Sequence, residues 1–184
     1  LKLLFKETKD QKVDKAYNSI GSAINDLGAQ GVATEVNIAN FATRVGSLPD
    51  ALKPSIGDAL ALGAAFEENG IQAEIAGRAY SILLNQAAQE SEKFAEVMGL
   101  TNKEVQDLIN KNPLDFLIKF AKGIKGMNAT DTATTLEYLG VQADGANKVL
   151  GAISNNPQRF GRLMYITKRS VLQDTWLIEG YNIQ

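Results

Sequence analysis

Apolar residues recur at helical spacing along nearly the whole chain. Val13, Ala16, Tyr17, Ile20, Ala23, Ile24 and Leu27 keep the i, i+3, i+4, i+7 pattern for four turns, and Gly28 and Gly31 follow as stop signals. Thr34 is placed to cap a second helix whose stripe is Ile38, Phe41, Ala42 and Val45, ending at Gly46. The stretch SLPDALKP then reads as a loop with room for one helical turn, because it holds two of the four prolines.

The organising stretch is 55–84, SIGDALALGAAFEENGIQAEIAGRAYSILL, which reads as two helices folded back through a turn at Asn69-Gly70. Ser55 is a good N-cap, and Asp58 three residues on completes a capping-box spacing. Ala59, Ala61, Gly63, Ala64 and Ala65 on one arm, and Ala73, Ala76, Gly77 and Ala79 on the other, remove side-chain bulk. The expectation is a tight hairpin with Gly63 and Gly77 at the closest approach of its arms. The second arm is expected to run on to Met98, since Phe94 and Met98 return to the stripe begun by Ala76, and Gly99 ends it.

Beyond Gly99 the boundaries are marked by caps. Thr101 and Glu104 form a capping box, with Leu100 and Val105 placed as a hydrophobic staple. Asn112-Pro113 opens a helix that is apolar on two sides, through Leu114, Leu117, Ile118, Ala121 and Ile124 and through Phe116 and Phe120. It should be the most buried helix of the second half. A short helix over 130–139 ends at Gly140, and another with Ala146, Val149, Leu150 and Ile153 ends at Asn155. Asn156-Pro157 repeats the cap-and-proline start before a long last helix with Phe160, Leu163, Met164, Thr167 and Val171 on its stripe. No stretch alternates as a strand would. The fold class read from this pattern is all-α: a compact multi-helix domain built on tight helical hairpins, with a long C-terminal helix. Its divisions are 1–12 as a flank, 13–156 as the helical domain and 157–184 as the last helix, which leads into the rest of a longer chain.

Composition narrows the functional classes. With 45% hydrophobic and 22% charged residues and a net charge of −2, the 184-residue chain has the profile of an ordinary folded domain without a dominant basic face. The densest basic stretch, 2–15, is interrupted by Glu7, Asp10 and Asp14 and reads as solvated surface. There is no histidine and no cysteine, which removes the Ser-His and zinc-histidine constellations and all thiolate chemistry. The longest uncharged run, 79–89, is far short of the ~20 apolar residues a membrane span requires, and no signal peptide is visible. The chain opens on Leu1 and closes on YNIQ, and is read as a segment of a longer polypeptide.

Three constellations bear on chemistry. Glu67 and Glu68 with Glu74 across the turn are the one acidic cluster on a tight element. Adjacent helical residues point about 100° apart, so at most one of the pair can face Glu74, and a solvated helix end is the expected state. Gly123 and Gly126 match no phosphate-binding loop and read as a helix ending. Tyr165, Lys168, Arg169 and Trp176 have the types that stack on and pair with single-stranded nucleic acid, but packing and partner contacts are the commoner use of such residues on a helix. The expectation is therefore a protein that is not an enzyme, with no catalytic, cofactor-binding or metal-binding residues, no cofactor and no specific nucleic-acid site. It would act by association, through apolar surface on 171–181 in particular.

One resemblance goes further. The run from SIGSAINDLGAQGVATEV through ATRVGSLPDALKPSIGDALALGAAFEENGIQAEIAGRAYSILL resembles the helical domain of bacteriophage tail tape-measure proteins in the order and spacing of its small-residue helices. The matching pieces are 20–27, 34–42, Arg44-Val45-Gly46, 59–70 and 74–84. The stretch FAEVMGLTNKEVQDLINKNPLDFLIKFAKGI continues the likeness, which extends over about 19–156. The family often has Thr after the glycine of the Glu-containing helix, whereas here Gly77 precedes Arg78. The resemblance implies a structural protein of a tailed phage or prophage. It would lie in the lumen of the tail tube after synthesis in the bacterial host cytoplasm, set tail length during assembly and take part in genome ejection. Its implied partners are other copies of itself and the tail-tube, tail assembly chaperone and baseplate proteins. Two other classes stand beside it: a helical adaptor that takes a partner helix in an apolar groove, and a cell-wall-degrading domain. The second needs a catalytic Glu in a cleft, or the metal-binding His and Cys that are missing.

Overall fold

The computed structural model describes residues 1–31 and 33–179, with backbone alone for 171–179. Among the described residues there are eleven α-helices, two short 3-10 turns and no strand. The first 3-10 turn (Lys2–Leu4) and α1 (Lys6–Lys9) lead into α2 (Val13–Ala29) and α3 (Glu35–Gly46), and the second 3-10 turn (Asp50–Leu52) precedes α4 (Ile56–Glu68) and α5 (Ala73–Gln89). Then come α6 (Ser91–Met98), α7 (Asn102–Lys111), α8 (Pro113–Ile124), α9 (Ala129–Tyr138), α10 (Ala143–Ser154) and α11 (Pro157–Glu179). The all-α architecture with a long last helix is as the apolar spacing predicts.

Five helix starts carry the anticipated caps. Thr34, Ser55, Asn112 and Asn156 each accept from the backbone N–H three residues on, and Asn128, which the sequence reading does not single out, caps α9 in the same way. At Thr101 the box is complete: its hydroxyl accepts from Glu104 N at 3.1 Å, and Glu104 Oε2 accepts from Thr101 N at 2.7 Å. At Ser55 only the forward half forms, with Asp58 N donating to Ser55 Oγ at 3.1 Å.

The centre of the fold differs from the tight hairpin expected of 55–84. Helices α4 and α5 do turn back through Gly70, which has a φ of 74°, but each packs chiefly on α3 and little on the other. The small residues serve that wedge. A Cβ at Gly63 would stand 3.1 Å from Ile38 O and 3.2 Å from Phe41 Cβ, and one at Gly77 would stand 3.2 Å from the Arg44 side chain, all on α3. Phe41 then reaches between the arms and meets Phe66 of α4 and Tyr80 of α5 edge-on, at 5.1 and 6.5 Å between ring centroids. Enclosed this way, α4 is buried on nearly every side, from Ile56 through Phe66.

Two further expectations are corrected. The second arm does not run unbroken to Met98: α5 ends at Gln89, and Glu90 takes φ −119° and ψ 41° before α6 begins. The break turns Phe94 into a second aromatic nucleus with Phe116 and Phe120 of α8, at 5.8 and 5.1 Å. In α2 the buried seam is Ala16, Ser19, Ala23 and Leu27, while Val13 and Tyr17 of the predicted stripe stand 68% and 78% exposed. A seam of mostly small residues lets α11 lie along α2. The pairs Arg162–Gln30 and Ser170–Asp26 give the two helices opposite directions.

Candidate functional site

The carboxylates at the end of α4 are structural clamps with separate targets. Glu67 accepts from Thr34 N at 2.7 Å, Thr34 Oγ1 at 3.1 Å and Asn37 Nδ2 at 2.6 Å, so it holds the first turn of α3. Glu68 turns the other way. Its oxygens accept from Arg159 Nε at 3.0 Å and Arg159 Nη2 at 2.5 Å, and the same Nη2 donates to Gln30 O at 2.8 Å. This ties the start of α11 to the ends of α4 and α2. The Glu68 side chain is only 12% exposed, which replaces the expected solvated helix end with a shielded ion pair. Glu74 is exposed in the first turn of α5 and joins neither clamp.

Arg159 is the structural contact that sequence reading misses. Its partner lies 91 residues away, and nothing in the local pattern of α11 distinguishes it from a solvent-facing arginine.

A groove of about 710 Å³ lies where α1, the second 3-10 turn, the starts of α4 and α8, and α11 meet. Lys6, Lys111 and Lys168 line it with Glu7 and Asp58, while Lys53 is engaged with Asp50 at 3.0 Å and with Leu4 O at 2.7 Å. Burial raises the carboxyl of Asp58 above its ordinary range, against the opposing influences of Ser55 and Lys168. The Ser55 hydroxyl is occupied in capping α4. Behind the groove the hydroxyl of buried Tyr80 donates to Leu52 O at 2.8 Å, and burial pushes its pKa far up. Ser55, Lys53 and Tyr80 are thus engaged in capping a helix start and anchoring loops, and the carboxylates of Glu7 and Asp58 share the groove with Lys6, Lys111 and Lys168.

The remaining candidates separate as well. Gly123 lies within α8 and Gly126 turns the chain after it with a φ of 97°, as a helix ending does. Tyr165 is 65% exposed on α11 with Lys168 and Arg169 also outward, although Lys168 faces the Asp58 groove. The side chain of Trp176 and the apolar surface expected over 171–181 lie outside the described side chains. Among the described residues no group of three or more His, Cys, Asp or Glu is placed to hold a metal ion. No described helix is long and apolar enough to cross a membrane.

Set beside known proteins, residues 8–141 match the model of a family described as phage-related minor tail protein. No curated protein and no solved structure matches the chain.

Proposed function

The chain belongs to the phage-related minor tail protein family, and from that premise we propose that it is a folded helical segment of a tail tape-measure protein. Family membership carries a structural, non-enzymatic role in the phage tail. The finer reading adds that the parent protein lies in the lumen of the tail tube, sets tail length during assembly and takes part in genome ejection. Its partners on this reading are other copies of itself and the tail-tube, tail assembly chaperone and baseplate proteins.

The observation that supports the finer reading is where the match falls. The matched stretch 8–141 takes in every small-residue helix that resembles the tape-measure domain, α2 through α5, and continues to the end of α9. Helices α10 and α11 follow it and pack back onto α5, α8, α2 and α4, so the matched stretch is the larger part of one packed body.

The reading is tested on virions with antibodies to α9 and α10. The epitope should be shielded in intact tails and lost from the tail once ejection has been triggered. Labelling of the outer tail tip in intact virions would instead assign the chain to another minor tail component.

A further inference from the structure

Two exposed faces of opposite charge stand on elements that make no extensive contact with each other. The acidic one is centred on Tyr138, which is 48% exposed; its hydroxyl donates to Glu96 Oε2 at 2.9 Å, and Lys93 sits 5.4 Å from its ring centroid. Lys93 also pairs with Glu90 at 3.6 Å. Glu92 lies one turn from Glu96 on α6, and Glu137 precedes Tyr138 on α9, both exposed. Glu96 and Glu90 act on the tyrosine directly, and Glu92 and Glu137 add two exposed carboxylates to the same two helices.

The basic face is the N-terminal segment. Leu3, Val13 and Tyr17 are 72%, 68% and 78% exposed, three of the most exposed large apolar residues described, and Val13 and Tyr17 are one turn apart on α2. Lys6, Lys9 and Lys12 of the same segment are exposed, with Lys2 and Lys15 half-buried, against Glu7, Asp10 and Asp14. Lys2 is tied to Lys9 O at 2.7 Å, which holds the segment in a closed hook.

We propose that the acidic face of α6 and α9 receives the lysine-rich N-terminal hook of a second copy, so that copies associate head to tail. Each face joins an exposed apolar centre to a charged rim of the opposite sign, the combination that steers and orients protein association. The first 3-10 turn, α1 and α2 make no extensive contact with α6 or α9, so the two faces of one molecule are not packed together. Because the faces differ, the contact is heterologous and propagates as a ring or an open chain. The proposal holds for a tail protein of any role and does not depend on the tape-measure reading.

Sedimentation velocity of the 184-residue chain tests it. Association should rise with concentration and weaken about tenfold or more when salt is raised from about 50 mM to about 500 mM. The double variants K9E/K12E and E92K/E137K should each lose association by a similar factor while keeping the parent helical spectrum. An equimolar mixture of the two, and the quadruple variant, should regain it, because each recreates opposite charges across the contact. A strict monomer at high concentration and low salt would overturn the proposal. So would association that survives either reversal, or a mixture that fails to restore it.

Discussion

The wedge of α3 between α4 and α5 predicts opposite outcomes for the same substitution at two glycines. Alanine in place of a mid-helix glycine gains about 0.5–1 kcal/mol from helix propensity and from a less flexible unfolded chain. At Gly21 of α2 a Cβ would meet nothing within 4 Å, so Gly21→Ala should show that gain alone. At Gly63 the new carbon would stand 3.1 Å from Ile38 O and 3.3 Å from Ile38 Cα, which are backbone atoms of a packed helix and do not swing aside. Overpacking of this kind costs about 1–3 kcal/mol, so after the propensity gain Gly63→Ala should be destabilising by about 0–2.5 kcal/mol. Gly77 is the control between them. Of its close neighbours, Arg44 Cδ at 3.2 Å belongs to an exposed side chain that can swing aside, but Arg44 Cβ, also at 3.2 Å, is fixed to α3, so Gly77→Ala should fall between the other two. Urea titrations followed by circular dichroism give the three values, and each kcal/mol corresponds to roughly 2–4 °C in melting temperature for a chain of this size. If Gly63→Ala proves as stable as Gly21→Ala, α3 does not pass close to α4 and the account of the core is wrong.

Other outcomes follow from the clamps and caps. Glu68→Gln leaves Arg159 without its charged partner and should cost about 1–3 kcal/mol, with hydrogen exchange accelerated first in α11; unchanged protection there would show that the pair holds nothing. Thr101→Ala removes half of a complete capping box and should cost about 1 kcal/mol by the same urea assay. The Asp58 carboxyl titrates above its unfolded value because burial disfavours its charged form, so its contribution runs against the fold at neutral pH and is relieved as pH falls through the folded pKa. Asp58→Asn should accordingly raise the urea midpoint near pH 7, and that advantage should shrink on acidification. An advantage independent of pH would mean that the charge is not what matters.

Local signals made the helices legible and left their partners unread. Thr34, Thr101, Asn112 and Asn156 announce helix starts because a cap is satisfied within three residues, and Gly99 and Gly140 announce ends in the same way. The small residues of 55–84 correctly signal close approach, but periodicity does not say which helix approaches. A neighbour in sequence was the natural choice, and α3 took the place. The α2 stripe shows the same limit: Val13 and Tyr17 are more apolar than Ser19, yet Ser19 is buried and the two larger residues face outward, because the neighbours packed on α2 come from distant parts of the chain. The break at Glu90 carries no glycine or proline to mark it and follows from the pull of Phe94 into the Phe116 and Phe120 nucleus. At the candidate site, the roles of Glu67 and Glu68 depend on Thr34 and Arg159, at 33 and 91 residues' separation, and no spacing rule reaches that far.

The tape-measure reading is tested most directly by tail length. An in-frame insertion of about 50 helix-forming residues in the parent gene, directly after the codon for Gln184, adds about 75 Å to an extended helical ruler at about 1.5 Å per residue. Electron microscopy of purified virions, with mass spectrometry showing that the lengthened protein is present in them, should find tails longer by about that amount. Tails of unchanged length in virions that carry the lengthened protein would contradict a length-setting role.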